Sequence, residues 1–464
     1  MHVDMLNPSA TILVFDLGTT NFKGTLFNTN GELRALARIP TPFTNTRGVH
    51  SEVSVPAFDA AIQSLTDELS ASAPQDYAAI AAVTFSSQTN SFVLLNPSGD
   101  ALTPFIIWND FRAAAVNPPL DAFLALPDFY LRSGVPSLSP EFMIAKLYWH
   151  QEETAEMWER VDRILLISDY LTWRFTGQFV TEAGAAGLTG LVDIHTLEWR
   201  ADALAILALE RDSFCDIARA GTNLGPITAR AADTFHLSRD CTFVVGCLDQ
   251  YAGAIGAGNT RAGDVSETTG TVLATVRCAD HFEAVPGSPI FWGPSSERGR
   301  YYQMVFGDVS ANLLEAYRNA LPESVAFDVL SAAAADAKGH LVLPRSLSNA
   351  ELLALVQGWA RDEARGDGVR AIFEGVAVAL REQITLLCGA TPPAVVHGVG
   401  GAAGSPMWMQ IKAKTLGVPV RAVACAEPTS LGAALLAWHG LTGESLAALV
   451  ERCVRLAPVV LPEG

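Results

Sequence analysis

The sequence predicts an α/β protein of two domains with a cleft between them. Three observations carry that expectation. The chain has 464 residues, too long for one ordinary core. An apolar strand and a Gly/Thr-rich turn lie side by side twice, once in each half, at Asp16–Lys23 and at Glu267–Thr271. A strand, a glycine loop and a helix start then follow one another late in the chain, around Gly398–Pro406, an order suited to binding anions.

The bulk composition narrows the partners. The chain is 49% hydrophobic and 17% charged, enough to bury a large core and too apolar for general disorder. Its formal net charge is −18, from 49 acidic and 31 basic side chains, so neither nucleic acid nor a membrane surface is expected as a partner. An anionic ligand would have to be held locally, by backbone N–H groups and a metal ion. The seven cysteines contain no C-x-x-C pair and most flank apolar residues, as buried thiols in a reducing cytoplasm do. The nine histidines show no ligand spacing, so no His-based metal site is expected. Met1–Ala10 carries Asp4 and Pro8 and no apolar core, so no signal peptide is expected there.

Taken in order, Thr11–Phe15 is a strand ending at Asp16. Phe22–Phe27 and Leu33–Ile39 return as second and third strands, joined by the hairpin turn Asn28–Gly31, so the start is an antiparallel meander. Its first turn reads D-L-G-T-T-N-F-K. Gly18 lets the backbone approach a ligand, and Thr19 and Thr20 offer hydroxyl and N–H donors to phosphate oxygens. Asp16 could hold magnesium directly or through water, and Lys23 adds a positive charge. An ordinary β-turn is the bland alternative; an acid, a glycine, two threonines and a cation within eight residues favour phosphate. The turn is not a G-x-x-x-x-G-K-[ST] loop.

Ser54 caps a helix with Pro56 in its first turn and Phe58, Ile62, Leu65 and Leu69 on its core face. Ala79–Phe85 is a buried strand that the polar run Ser86–Ser91 interrupts before Phe92–Leu95 resumes. That run, with Gln88, Thr89 and Asn90, is a candidate ligand loop. Trp108-Asn109-Asp110-Phe111-Arg112 offers an aromatic face and a forked cation to a polyol. A packed Trp108 beside an Asp110–Arg112 ion pair fits those residues equally well. Ser139-Pro140-Glu141 starts a helix, Gly177 ends one, and Thr181–Gly190 reads as a glycine-rich loop close to a site.

In the second half, Phe243–Val245 is a strand broken by Gly246, with Asp249 at its carboxyl end before a Gly/Ala-rich helix. By itself Asp249 is more readily a helix cap than a catalyst. Gly270 and Thr271 form the second phosphate-type turn. Val369–Leu387 is a long helix, and Ala394–Val396 is the strand before the glycine loop. Gly400, Gly401 and Ser405 belong to that loop, whose spacing does not fit G-x-G-x-x-G. Thr429–Trp438 is a small-residue helix able to pack against it.

With these motifs in place, the chain resembles the FGGY carbohydrate kinases, a branch of the sugar kinase–actin–heat-shock chaperone superfamily. D-L-G-T-T-N-F-K at 16–23, W-N-D-F-R at 108–112, G-C-L-D-Q-Y-A-G-A-I-G-A-G at 246–258, and G-V-G-G-A-A-G-S-P-M-W-M-Q-I-K-A at 398–413 with S-L-G-A-A at 430–434 carry the resemblance. Their order and spacing fit from end to end. The resemblance implies an α/β fold of two ribonuclease H-like (actin-like ATPase) domains with a central cleft. The implied domains are 1–242, with the sugar site and first phosphate loop, and 243–464, with the nucleotide site and the catalytic carboxylate. It implies ATP and Mg2+ as cofactors, Asp249 as base and Asp16 as metal-placing carboxylate. Thr19, Thr20, Lys23, Gly270, Thr271, Gly400, Gly401 and Ser405 would hold ATP. Gln88, Thr89, Asn90, Trp108, Asp110, Arg112 and Gln250, with Asp249, would hold a small sugar or polyol. The carboxylate then orients the attacking hydroxyl and accepts its proton late in phosphoryl transfer.

The chain departs from xylulose kinases at Thr89-Asn90, where a Met-His pair is usual, and at Gln250, where Asn is usual. The segment after Leu343-Pro344 lacks the family's longer glycine-and-glutamate stretch, and residues 165–181 are similar to L-fuculose kinases. A ketopentose such as D-xylulose and a deoxyketohexose both remain open as substrates. The rival classes are an actin-like or chaperone-like ATPase, which needs no sugar loop, and a silent sugar sensor, which needs no base. The expected location is the cytoplasm, and the expected assembly a homodimer, because symmetric dimers are commonest.

Overall fold

The computed structural model describes residues 9–337, 341–362 and 365–462. The chain forms two compact units, divided along other lines than the expected boundary at 242/243. The first unit holds the chain up to Gly256, Asp280–Tyr302 and Thr429–Cys453. The second holds Ala257–Ala279, Gln303–Pro428 and the chain from Val454 onward. Among the described residues no helix is long and apolar enough to cross a membrane.

In the first unit, β1 (Thr11–Leu17), β2 (Asn21–Asn28) and β3 (Leu33–Pro40) form the expected antiparallel meander. Helix α1 (Val55–Ser72) starts as its sequence requires: the Ser54 hydroxyl accepts from the Ala57 N–H, and Pro56 lies in the first turn. Phe58, Ile62, Leu65 and Leu69 are buried on its inner face. Next, β4 (Ile80–Ser87) pairs with β1 in parallel. The strand therefore runs through Ser86 and Ser87, and the polar run breaks it only at Gln88. Both serines are fully buried, because the ladder satisfies their backbone and their hydroxyls find partners.

Helix α2 (Met143–Glu153) begins later than Ser139-Pro140-Glu141 suggested. Its first N–H, on Met143, is capped from a distance by the side chain of Asn90. Thr181–Gly190 is not all loop: α3 (Ala183–Gly187) forms there, capped by Glu182. Then β5 (Thr242–Val244) and β6 (Cys247–Leu248) both pair with β4 in parallel, which draws this stretch into the first unit's sheet. Gly246 between them has no alternative, since a Cβ there would lie 1.9 Å from the Phe85 carbonyl oxygen. Helix α4 (Asp249–Gly256) follows at once. The small-residue helix Pro428–Thr442 packs on α4, with Gly432 against the Ala252 carbonyl.

The second unit is built around β7 (Val265–Thr269) and β8 (Leu273–Ala279), an antiparallel pair joined by Gly270–Val272. Its sheet runs from β9 (Tyr301–Gly307), most of which belongs here, through β8, β7, β10 (Val396–Val399) and β11 (Val420–Ala422). The glycine-loop strand begins at Val396, where Ala394–Val396 had been expected. The long helix α5 (Arg365–Cys388) buries Val369, Ile372, Val376 and Leu380, as its 3.6-residue spacing requires. Helix α6 (Pro406–Leu416) follows the glycine loop and buries Trp408 completely, with Phe373 of α5 stacked on it at 4.1 Å.

Candidate active site

Strand register gathers the acidic residues of the first unit. Asp16, near the carboxyl end of β1, stands opposite Lys23 on β2 and beside Ser86 on β4. The Ser86 hydroxyl donates to Asp16 Oδ1 at 2.5 Å, and Lys23 Nζ lies 3.2 Å from Oδ2. On the other side of β4, Cys247 pairs with Ser86 and Leu248 with Ser87, so Asp249 leaves the sheet at the same carboxyl end. That is where α/β sheets place their ligands. Asp249 Oδ1 accepts from the Gln250 N–H at 2.7 Å, so the carboxylate also serves its helix start. Burial, and after it the negative charge of Asp16, pushes the Asp249 carboxyl up to about 7. A general base is most effective near such a value.

Glu182 is a participant the sequence reading did not single out as one. Its carboxyl accepts from the N–H groups of Gly184 and Ala185 at the start of α3, and of Leu248 at 3.2 Å. It thereby anchors the peptide just before Asp249. Burial pushes it, too, up to about 7.

The polar loop after β4 divides its labour. Thr89 donates to the Ala185 carbonyl and Asn90 to that of Leu188, while Asn90 Oδ1 accepts from Met143. Asn90 sits at φ 57°, in the left-handed region Asn tolerates. These two side chains are therefore spent on holding the loop. Gln88 differs: its Oε1 accepts from Ser91, and its buried Nε2 has no hydrogen-bond partner among the described residues. Such a donor is costly to bury unless a ligand meets it. Trp108 donates its indole N–H to Thr19 Oγ1 at 2.7 Å, which leaves the Thr19 proton to donate onward. Thr20 is exposed at the tip of the turn, and Gln250 is half-buried.

For Asp110 and Arg112, the ion-pair alternative is the one the geometry adopts. Asp110 is wholly buried, and its oxygens take bonds from Arg112 Nε and Nη2, both at 2.8 Å. Arg112 also reaches Glu52 and lies over the Trp149 ring. The pair holds Asp110 below the usual carboxylate range and Arg112 above its own, against the effect of burial. His50, Glu52 and Asp110 come close enough together to hold a metal, a cluster the histidine spacing did not suggest. The Arg112 guanidinium already pairs with both of the cluster's carboxylates.

The second unit carries a cavity of about 290 Å³, lined among others by Thr269, Gly270, Thr271, Arg318, Phe327 and Gly401. Of the residues expected to hold ATP here, Gly270, Thr271 and Gly401 line it, whereas Gly400 and Ser405 do not. Gly400 makes the loop's turn, at φ 84°. Ser405 is buried, caps α6 by accepting from Trp408, and shares a hydrogen bond with Ser331. Beneath the turn Lys412 Nζ meets Glu267 at 2.6 Å and Thr269 Oγ1 at 2.8 Å.

The chain matches the N-terminal domain of the FGGY family of carbohydrate kinases over residues 11–256 and the C-terminal domain over 303–441. It belongs to this family. As an FGGY carbohydrate kinase it is an ATP-dependent sugar kinase, and kinases of the family generally use ATP with a divalent metal. A xylulose kinase of Lactococcus lactis is 24% identical over 92% of this chain and 87% of its own length. An L-fuculokinase of Salmonella typhi is 26% identical over 93% of this chain and 92% of its own. A solved xylulose kinase from Lactobacillus acidophilus shares the fold with a TM-score of 0.85 at 22% identity, over 98% of this chain and 94% of that one.

Proposed function

We propose that this kinase transfers the ATP γ-phosphate to a hydroxyl of a ketose such as D-xylulose, with Asp249 as the base. An L-fuculose- or ribulose-type substrate is the alternative. The observation that carries the reading is the Asp249 carboxyl, raised to about 7, at the strand ends beside Asp16. In a loose transition state the sugar proton moves late, so Asp249 orients the hydroxyl first and takes its proton as the O–P bond forms. Gln88 Nε2, still without a partner among the described residues, is the donor that suits a sugar hydroxyl. Trp108 supplies an apolar face beside it. Thr19, Thr20 and Lys23 donate toward the transferred phosphate; Gly270, Thr271 and Gly401 suit the rest of the nucleotide.

Asp16 suits Mg2+, since it is a hard oxygen donor and its partners, Ser86 and Lys23, leave lone pairs on both oxygens. When bound, the ion would offset phosphate charge. Asp110 and Arg112 fix the Trp108 segment rather than touch the sugar. The test is ADP release with Mg-ATP across D-xylulose, L-fuculose, D-ribulose and glycerol. Sugar-dependent turnover supports the reading. Turnover independent of any sugar would favour an actin-like ATPase, and sugar binding without turnover a sensor.

A further inference from the structure

We propose that Lys146 is a positioning residue, whose ammonium clamps the loop Gln88–Ser91 to Trp108 and so sets the shape in which the acceptor sugar is held. The proposal rests on the substrate reading above. Lys146 lies on α2 and is completely buried. Its Nζ donates to three backbone carbonyls: Asn90 at 3.2 Å, Ile107 at 3.1 Å and Trp108 at 2.9 Å. An ammonium has three N–H donors, so all of them are used. The carbonyls come from two segments, the loop after β4 and the stretch leading into Trp108, which also meet through the Phe92–Ile106 strand pairing.

The same helix grips the loop a second time, through the Met143 N–H on Asn90 Oδ1 at 2.9 Å. From these anchors the geometry passes to the side chains proposed to meet the sugar. Ser91 Oγ accepts from the Trp108 N–H at 2.9 Å and donates to Gln88 Oε1 at 2.9 Å. The bond from Ser91 thus fixes which face of the Gln88 amide carries its open N–H. If Lys146 lets go of Asn90 and Trp108, the Ser91–Trp108 bond, and with it the orientation of Gln88, loses its support from α2.

The cost of burying this cation argues for a positional task. Burial pushes Lys146 down to about 7, with Arg112 adding to the effect and Asp110 and Glu141 opposing it. No carboxylate bonds its Nζ directly among the described residues; three carbonyl dipoles do that work. His150, one turn further along α2, is pushed down to about 3 and stays neutral, so it adds no competing charge.

The experiment compares the wild type with Lys146→Met, which keeps the apolar stem and loses the donors, and with Lys146→Gln, which keeps two N–H groups. Turnover is measured with D-xylulose and with L-fuculose. For Lys146→Met the expected result is a sugar KM raised about tenfold or more, the effect of losing charged hydrogen bonds. Its KM for ATP and its kcat at saturating sugar stay within about twofold of wild type, and Lys146→Gln recovers part of the sugar KM. A cooperatively melting Lys146→Met with unchanged sugar KM overturns the proposal. So does an equal loss in both KM values, which marks a merely structural lysine. Hydrogen exchange over residues 86–91 and 105–110 decides independently of the substrate. If the wild type turns over neither ketose, the substrate reading fails by itself, while faster exchange in Lys146→Met still supports the clamp and unchanged exchange overturns it. Should Lys146→Met not fold, Lys146→Gln carries both measurements with the same criteria.

Discussion

The two Gly/Thr turns share a local plan and differ in what surrounds their acid. Each joins the first antiparallel pair of its unit's sheet, β1 to β2 and β7 to β8, and each has an acid on the strand before it and a lysine paired with that acid. In the first turn Lys23 is the residue opposite Asp16 on the next strand, and their side chains are 19% and 9% exposed. In the second, Lys412 arrives from α6, remote in sequence, and it and Glu267 are both 1% exposed. The first pair keeps a face toward solvent, where ligands arrive. The second is sealed under Trp408 and serves as a strut between α6 and β7. Desolvation decides the difference: a half-open pair can exchange its partner for a ligand, whereas a sealed pair is destabilising to break.

The contrast can be broken most directly at Lys412. Lys412→Met leaves Glu267 charged and buried, so unfolding free energy should fall by about 3–5 kcal/mol in a denaturant titration. A loss below about 1 kcal/mol would mean that the pair is not sealed. Next in size, Asp249→Asn should cut kcat by about a hundredfold or more in the ADP assay, equivalent to roughly 2.7 kcal/mol. Near-wild-type turnover would remove Asp249 from the chemistry.

The same Asp249→Asn variant sharpens the comparison through pH. Its folded-state pKa of about 7 lies above the ordinary 3.8, so its stabilising contribution is complete below about pH 4 and is lost as pH rises through 7. The stability gap between variant and wild type should therefore widen in the variant's favour from pH 4 to 7 and level off above that. A gap independent of pH would show that Asp249 is not raised. The smallest stability effect belongs to the open pair. Lys23→Met should cost under about 1 kcal/mol in the same titration, while turnover falls on the order of a hundredfold through the lost phosphate donor. Stability lost without activity would exchange the roles assigned to the two lysines.

Much of the site was legible because its signals are local. Asp16, Thr19 and Lys23 lie within eight residues of one another, and a two-residue side-chain period with a tight turn fixes their relation. Asp249 was legible from an apolar run, a glycine and a small-residue helix in succession. The bond from Leu248 to Glu182 and that from Lys146 to Asn90 were not, for they span 66 and 56 residues. Nothing near Thr181 or Ala145 announces a carboxylate or an ammonium that bonds backbone from other segments. Ser405 with Pro406 was legible as the start of α6. Asn90 was legible as a polar loop residue but not as the cap of α2, because a polar side chain in sequence does not say whether water, ligand or backbone will satisfy it.

By itself the sequence determined the α/β class, the opening meander, the two turns and Asp249 as the carboxylate at a strand end. Periodicity and turn chemistry act over a few residues, and any fold of this chain must honour them. Tertiary structure alone decided that Phe243–Leu248 joins the first sheet, where Gly246 meets the Phe85 carbonyl. It also decided that Arg112 is spent on Asp110 and Glu52, that Lys412 is sealed while Lys23 stays half-open, and that burial lifts the Asp249 carboxyl to about 7. The physical reason is common to all four. Desolvation depends on which segments close over a group, and those segments are distant in the chain.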